Sequence, residues 1–166
     1  LAWKFERRFN AQAARWHSVD GGDVLLCMPQ TFMNASGEAV GKMASFYRVA
    51  PERCLVVVDD ADLPLGELRL RSQGGTGGHH GLESLEQHLG TLAFPRLRIG
   101  IGRQGEAREI TGHVLGRFTA SEAKTLEQVL NRAADQMECW VAEGIQMAMN
   151  KFNGTVLGSN NEGKVQ

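Results

Sequence analysis

The chain has 166 residues, enough for one domain with a single sizeable core. Its hydrophobic content of 42% and charged content of 22% are close to globular averages, which argues against extensive disorder. The longest apolar runs, such as residues 55–58, are too short to span a bilayer. Three separated cysteines, Cys27, Cys54 and Cys139, favour buried thiols over a disulfide framework or a zinc site. We therefore predict a cytoplasmic protein, or an organellar one if a leader before Leu1 was removed.

The charges are unevenly distributed although the net charge is only −1. Residues 67–117 carry seven arginines against five glutamates, whereas residues 122–143 carry two basic and five acidic residues. A basic face with an acidic flank would accept a phosphate-bearing partner. Ordinary scatter of charges over a solvated surface explains these counts equally well.

In the first part of the chain, the spacing of apolar residues predicts a hairpin and a helix. Residues 3–16 and 24–28 are predicted as paired strands joined by an Asp-Gly-Gly turn. Apolar residues then recur at helical spacing over residues 39–47, with Asn34 or Ser36 as the N-cap.

Strands and helices continue to alternate in the middle of the chain. Residues 54–58 form a β-rich apolar run that ends in carboxylates, and residues 67–71 alternate as a half-exposed strand. A glycine-rich turn leads into a predicted helix at 80–89, and residues 96–101 form another alternating strand.

A capping box at Thr119 and Glu122 predicts the start of a long helix that stops at Gly144. Apolar residues between 123 and 141, including Ala123 and Leu130, form a stripe expected to face the core. The whole pattern predicts a single α/β domain over residues 1–153 and a flexible tail at 154–166.

Two segments have the composition of binding or catalytic sites. Asp59 directly follows the apolar strand, so it is the carboxylate of its cluster most expected to be partly buried and functional, whereas Asp60 and Asp62 suit a surface turn. Four glycines within residues 74–78 let backbone amides approach a ligand closely, but the P-loop ending is missing. Nothing else in the chain has metal-ligand spacing, so no metal is predicted.

Residues 100–105 match the glycine fingerprint of dinucleotide-binding domains after a strand. That fingerprint requires a following helix that holds the pyrophosphate, and residues 106–115 show no helical apolar stripe. A strand end with turn glycines is therefore the preferred interpretation.

Four blocks resemble the bacterial peptidyl-tRNA hydrolase family. Residues 29–37 (PQTFMNASG) resemble its P-x-T-[FY]-M-N-x-S-G segment, and residues 59–66 (DDADLPLG) its D-[DE]-x-D-L-P-x-G segment. Residues 74–81 (GGTGGHHG) resemble its glycine-rich loop, and residues 94–102 (FPRLRIGIG) its F-x-R-L-R-I-G-I-G strand. The blocks occur in the family's order, and the resemblance covers approximately residues 3–153.

The resemblance implies hydrolysis of the ester that joins a peptide to the 3′ ribose of tRNA, which recycles tRNA from stalled translation. It also implies a monomer with a mixed twisted β-sheet flanked by helices, without metal or cofactor. In the family a histidine is the general base and an aspartate, corresponding to Asp59, supports it. Residues on the strand before the glycine loop would contact tRNA phosphates through guanidinium groups. The positions that correspond to substrate or tRNA contacts are Phe32, Met33, Asn34, Arg69, Arg71, Gly77, Gly78, His79 and His80, with Arg98 as a weaker candidate.

Two departures from the family pattern matter. The family's opening segment, which contains the catalytic histidine, would precede Leu1, so these 166 residues are expected to bind peptidyl-tRNA without hydrolysing it. His80 stands where the family usually has asparagine, and an imidazole offers one donor and one acceptor on a rigid ring. Two alternatives remain: a non-catalytic RNA-binding relative, as in organellar intron splicing, and a dinucleotide-binding domain.

Overall fold

A computed structural model describes residues 1–19, 22–102 and 117–156. Its internal contacts divide the chain into two compact units, and each is described by itself. The first comprises Leu1–Leu55 and Ser72–Pro95, and the second Val56–Arg71 and Arg96–Gln166. Strands and helices alternate as predicted, which confirms the α/β class. The strands form two sheets, one of three strands and one of four.

The first unit begins with an antiparallel sheet of three strands: β1 (Lys4–Glu6), β2 (Ala11–His17) and β3 (Asp23–Pro29). The predicted hairpin is confirmed, because β2 pairs with β3 along its whole length. The Ser18 N–H donates to the Gly22 carbonyl at 2.9 Å beside the turn, whose first two residues lie outside the described ranges. β1 is a short additional strand on the other side of β2.

Two helices follow in the first unit, α1 (Ser36–Tyr47) and α2 (His80–Leu89), and a 3-10 turn (Met33–Ala35) leads into α1. The limits of α2 match the prediction, but neither predicted N-cap of α1 is correct. The cap position is Ala35, whose side chain accepts no hydrogen bond. The unit's core forms where the β2–β3 sheet and its preceding turn meet α1, at Phe9, Ala11, Ala39 and Met43.

The second unit contains a mixed sheet of β4 (Val56–Asp60), β5 (Glu67–Arg71), β6 (Arg96–Gly100) and β7 (Gly154–Thr155). The strand order is β4-β6-β5-β7, with β4 and β6 parallel and the other pairs antiparallel. This confirms the mixed sheet. β4 continues two residues beyond the predicted strand, so Asp59 and Asp60 belong to the strand itself.

Two consecutive helices complete the second unit: α3 (Ala120–Glu143) and α4 (Ile145–Phe152). The capping box at Thr119 and the stop at Gly144 are confirmed. The predicted core stripe is wrong in part, because Ala123 and Leu130 are exposed. Gln136 and Cys139 are buried on the same helix instead.

The tail predicted to be flexible from residue 154 begins with ordered structure. Gly154 and Thr155 form β7 against β5. The Asn153 side chain accepts a hydrogen bond from the Leu70 N–H at 2.7 Å and donates to the Leu70 carbonyl at 3.0 Å. It also accepts from buried Gln136 at 3.0 Å. An amide side chain thus extends the β5 ladder, and the segment predicted as a tail starts with a short strand; residues 157–166 lie outside the described ranges. Among the helices that are described, none is long and apolar enough to cross a bilayer.

Candidate functional site

A cleft of about 340 Å³ in the first unit lies beside the segment that resembles the family's P-x-T-F-M-N block. It is lined by Asn10, Gln30, Thr31, Phe32 and Ala35. Phe32 is 87% exposed, an unusual degree for a phenylalanine ring, while the Thr31 hydroxyl is buried without a hydrogen-bond partner among the described residues. The exposed ring can offer a ligand a stacking surface.

The segment after this cleft contacts the start of α2. A side chain at Gly81 would place its Cβ 2.7 Å from the Met33 sulfur and 2.9 Å from the His79 ring. Gly81 is therefore closely packed, and a side chain at this position would displace the Met33 or His79 side chain, both of which lie against it. Asn34, by contrast, is simply exposed in the 3-10 turn.

His79 is the N-cap of α2. Its Nδ1 accepts hydrogen bonds from the N–H groups of Gly81 at 3.1 Å and Leu82 at 3.3 Å. An acceptor nitrogen carries no proton, so the neutral ring has its proton on Nε2, where it is a donor. The resemblance places His79 among the substrate contacts, and the structure shows that half of this ring already has a structural role.

The glycine-rich loop reaches α2 through two successive residues of left-handed backbone, Gly77 at φ 61° and Gly78 at φ 76°. Side-chain-bearing residues rarely adopt this conformation, which explains two of the loop's glycines without invoking a ligand. His80 follows, with its ring 76% exposed and its Nδ1 3.1 Å from the Glu83 carboxylate. Its open position is compatible with a contact to a ligand.

The second unit presents an arginine face on the β5–β6 pair. Arg69 lies opposite Arg98, and Arg71 lies opposite Arg96. Directly opposed residues point to the same side of a sheet, so all four guanidinium groups originate on one face. The predicted shared face of Arg69 and Arg71 is confirmed by the alternating burial of β5.

Two arginines of this face form ion pairs with carboxylates. Glu67 pairs with Arg69 at 2.9 Å, and Asp60 pairs with Arg98 at 3.2 Å. Burial, and next the neighbouring Arg98, lower the pKa of Arg96, whose exposure is 1%. Arg71 is exposed and has no ion-pair partner among the described residues. Arg71 is thus the most available cation of the face, whereas Arg98 is held by Asp60.

The two carboxylates at the end of β4 point to opposite sides of the sheet. Asp60 shares the side of Arg98 and also accepts the Asp62 N–H at 2.8 Å, the turn contact expected from the sequence. Asp59 is half-buried and lies opposite Ile99, on the side away from the arginines. The structure therefore separates the candidate catalytic carboxylate from the arginine face by the thickness of one strand.

The glycine fingerprint at residues 100–105 has a packing explanation at its first position. A Cβ at Gly100 would overlap the Pro64 carbonyl oxygen, so the strand end needs a glycine there. Gly102 has a left-handed φ of 70°. The remaining residues of the fingerprint lie outside the described ranges. These contacts favour the strand-end interpretation of the sequence.

Comparison with known proteins agrees with the four sequence blocks. The sequence model of the family described as peptidyl-tRNA hydrolase matches residues 1–161. A peptidyl-tRNA hydrolase of Synechococcus sp. (strain JA-3-3Ab) is 47% identical over 148 residues, 89% of this chain and 65% of the relative. This chain belongs to the peptidyl-tRNA hydrolase family. It spans slightly less than two thirds of the length of that relative.

Further members of the peptidyl-tRNA hydrolase family show the same similarity. The enzyme of Clostridium acetobutylicum is 42% identical over 139 residues, 84% of this chain and 73% of that relative. A crystal structure titled peptidyl-tRNA hydrolase from Acinetobacter baumannii has a TM-score of 0.85 at 35% identity, covering 93% of this chain and 79% of that one. The fold described above is therefore the fold of this family.

Sequence reasoning missed two contributors to the candidate site. Thr31 belongs to a quoted block, but nothing in its pattern indicates that the hydroxyl lacks a partner. The alternation of residues 96–101 puts Arg96 and Arg98 on the same side of the strand, yet the burial of Arg96 depends on neighbours distant in sequence. The spacing of residues along a strand indicates on which side of the sheet a side chain lies, but it does not indicate which other residues bury that side chain.

Proposed function

We propose that this protein hydrolyses the ester between peptide and tRNA in peptidyl-tRNA, as a monomer in the cytoplasm and without a metal or cofactor. Membership of the peptidyl-tRNA hydrolase family supports this proposal. The observation that carries the RNA part is the arginine face, where two pairs of arginines lie directly opposite each other and Arg71 is exposed. A phosphate group would relieve the repulsion between directly opposed like charges.

In this proposal the two units supply different functions. Arg69 and Arg71 bind tRNA phosphates, and Arg98 positions Asp60. The segment Phe32, Met33 and Asn34, with its adjoining cleft, binds the terminal ribose and the first peptide units. Asp59 supports a histidine base, as the family resemblance implies. The loop at Gly77, Gly78, His79 and His80 adds substrate contacts.

The RNA part is tested by the double variant Arg69→Ala, Arg71→Ala. Each arginine that neutralises a phosphate contributes about 0.9 to the slope of log affinity against log salt. We expect the variant to bind tRNA more weakly, with a salt slope reduced by about two units. The matched control is Arg53→Ala with Lys124→Ala, which removes two exposed charges elsewhere. A variant with the parent's slope would exclude these two arginines as phosphate contacts.

One assay distinguishes the proposed hydrolase from a non-catalytic RNA-binding relative. Release of peptide from peptidyl-tRNA is measured with the 166-residue chain, alone and fused to the opening segment that carries the family's catalytic histidine. Binding without turnover in both would favour the non-catalytic alternative. Turnover by the 166 residues alone would mean that they include the base. The dinucleotide-binding alternative predicts that the chain binds NAD or NADP. A titration with these cofactors that gives no binding signal would exclude this alternative.

A further inference from the structure

A second basic surface lies wholly within the first unit, where the β1–β2 turn meets the C-terminal end of α1. We name it the stacked-arginine patch; its residues are Arg7, Arg8, Phe46, Tyr47 and Arg48. All five are exposed, with Phe46 at 54% and Tyr47 at 37%. None of these residues belongs to the family-like blocks or to the arginine face.

An aromatic contact fixes the turn to the helix. Phe9, 4% exposed, anchors the turn in the core, and its ring centroid lies 5.5 Å from that of Phe46 and 6.1 Å from that of Tyr47. The Phe46 and Tyr47 rings meet edge to face, 5.0 Å apart. Hydrogen bonds from the Phe9 and Asn10 N–H groups to the Glu6 and Arg7 carbonyls close the turn. The backbone that carries Arg7 and Arg8 is therefore held in place.

The guanidinium of Arg8 stacks on this aromatic contact. Its central carbon lies 4.6 Å from the Phe46 centroid. Arg15 lies 5.6 Å from the Tyr47 centroid in the same way. Stacking occupies a face of the guanidinium plane and leaves its N–H donors at the edge, so the group is oriented before any anion arrives. Less side-chain entropy is then lost on binding.

The charge of the patch is not neutralised locally. Within the described part of the chain, Arg7, Arg8 and Arg48 form no ion pair, whereas Arg15 lies 3.9 Å from Asp23. Glu6, which precedes the turn, supplies a single negative charge, whereas the patch carries three arginines. Arg48 is also a non-glycine residue in left-handed backbone at φ 55°, a helix-end position that glycine usually takes. A glycine at position 48 would leave the patch with two positive charges instead of three.

We propose that the stacked-arginine patch is a second RNA-binding surface that holds backbone phosphates of the tRNA. The inference rests on the proposed function and adds a contact outside the arginine face. Phosphates, and not bases, fit the patch because guanidinium groups already lie over its rings. An anionic membrane fits less well, since the rings pack on each other and do not project as an inserting wedge.

The test compares three proteins in tRNA titrations over a range of salt: the parent chain, the patch variant Arg7→Gln, Arg8→Gln, Arg48→Gln, and the control variant Arg53→Gln, Arg117→Gln, Lys124→Gln. Both variants lose three exposed positive charges. The probe is a deacylated tRNA transcript. We expect the patch variant to lose about two to three units of salt slope and about tenfold or more in affinity, and the control to match the parent. Circular dichroism melting establishes that each variant is folded.

The outcomes separate this inference from the proposed function. A patch variant that binds like the parent, beside a weakened Arg69→Ala, Arg71→Ala variant, overturns the patch and leaves the proposed function standing. A weakened patch variant beside an unaffected Arg69→Ala, Arg71→Ala variant supports the patch and contradicts the arginine face. Equal losses of tRNA affinity in the patch and control variants would show that overall charge, and not the stacked-arginine patch, attracts the tRNA. This result would overturn the inference. Binding of the parent to phosphatidylserine vesicles but not to tRNA also overturns it.

Discussion

Asp59 and Asp60 are neighbours on β4 with different surroundings. The side chain of Asp60 is 11% exposed and is committed to Arg98 and to the Asp62 N–H. Asp59 projects to the other side of the strand, away from the arginine face. A carboxylate that supports a histidine base must not be held by a stronger cationic partner. Asp60 is held in this way, and our proposal assigns the task to Asp59, the position that the family resemblance indicates.

Replacing Asp59 by asparagine removes the charge at nearly constant size. In the 166-residue chain fused to the family's opening segment, we expect Asp59→Asn to lower kcat by about 10²-fold or more while KM changes little, because support of a base matters mainly in the transition state. Steady-state kinetics on peptidyl-tRNA measure both constants. The matched control, Asp62→Asn, removes an exposed carboxylate of the same turn and should leave kcat unchanged. Equal losses in kcat and thermal stability would instead point to a structural Asp59.

At the scale of elements, α1 and α2 pack closely against each other in the first unit. The Gly37 N–H donates to the buried Ser84 hydroxyl at 2.9 Å, and His88 Nδ1 donates to the Ser84 carbonyl at 2.8 Å. A Cβ at Gly37 would overlap that carbonyl, and one at Gly41 would lie 3.1 Å from the His88 Cβ. Two glycines one helical turn apart thus let the helix backbones meet. This pair also holds the 3-10 turn with Met33 against Gly81.

A graded series of alanine substitutions tests this helix contact. We expect Gly37→Ala to lower the free energy of unfolding by about 1–3 kcal/mol, because a backbone carbonyl must move to make room. Gly41→Ala should cost less, since its neighbour is a side chain and alanine favours the helix by about 1 kcal/mol. Gly22→Ala, with nothing within 4 Å, should change little. Urea unfolding provides the measurement, and similar values for Gly37→Ala and Gly22→Ala would contradict the close contact.

At the scale of the whole molecule, cysteine burial links stability to alkaline pH. Burial, and next the charge of Cys54, raises the pKa of Cys27 from 9.0 to about 11. Burial also raises the pKa of Cys54 and of Cys139. In the unfolded chain these thiols ionise near their ordinary pKa, whereas the folded protein keeps them protonated. The unfolded state therefore binds fewer protons above pH 9, and stability falls as pH rises.

For Cys27 this loss falls between about pH 9 and pH 11, the interval between its two pKa values. We expect urea midpoints to decline through this interval in the parent and to decline less steeply in Cys27→Ala, which has no thiol to ionise. The variant should be less stable at neutral pH because Cys27 packs against the core of the first unit. Parallel declines in the two proteins would show that Cys27 does not contribute to the pH dependence.

Features set by neighbours along the chain could be predicted from the sequence. The capping box at Thr119, the stop at Gly144, the limits of α2 and the shared side of Arg69 and Arg71 depend on residues a few positions apart. The family blocks are also local, so the peptidyl-tRNA hydrolase assignment needed no structure. Alternation and capping depend on residues only a few positions apart, so the order of residues in the sequence indicates them directly.

Tertiary structure decided what covers each side chain. Arg96 is buried while Arg71 is open, although both alternate in the same way along their strands. Asn153, the last residue of the predicted domain, pairs with Leu70, which lies 83 residues earlier in the chain. His79 is a helix cap as well as a loop histidine. These outcomes depend on contacts between residues distant in sequence, and the free energy of burying or pairing a polar group is set by those contacts.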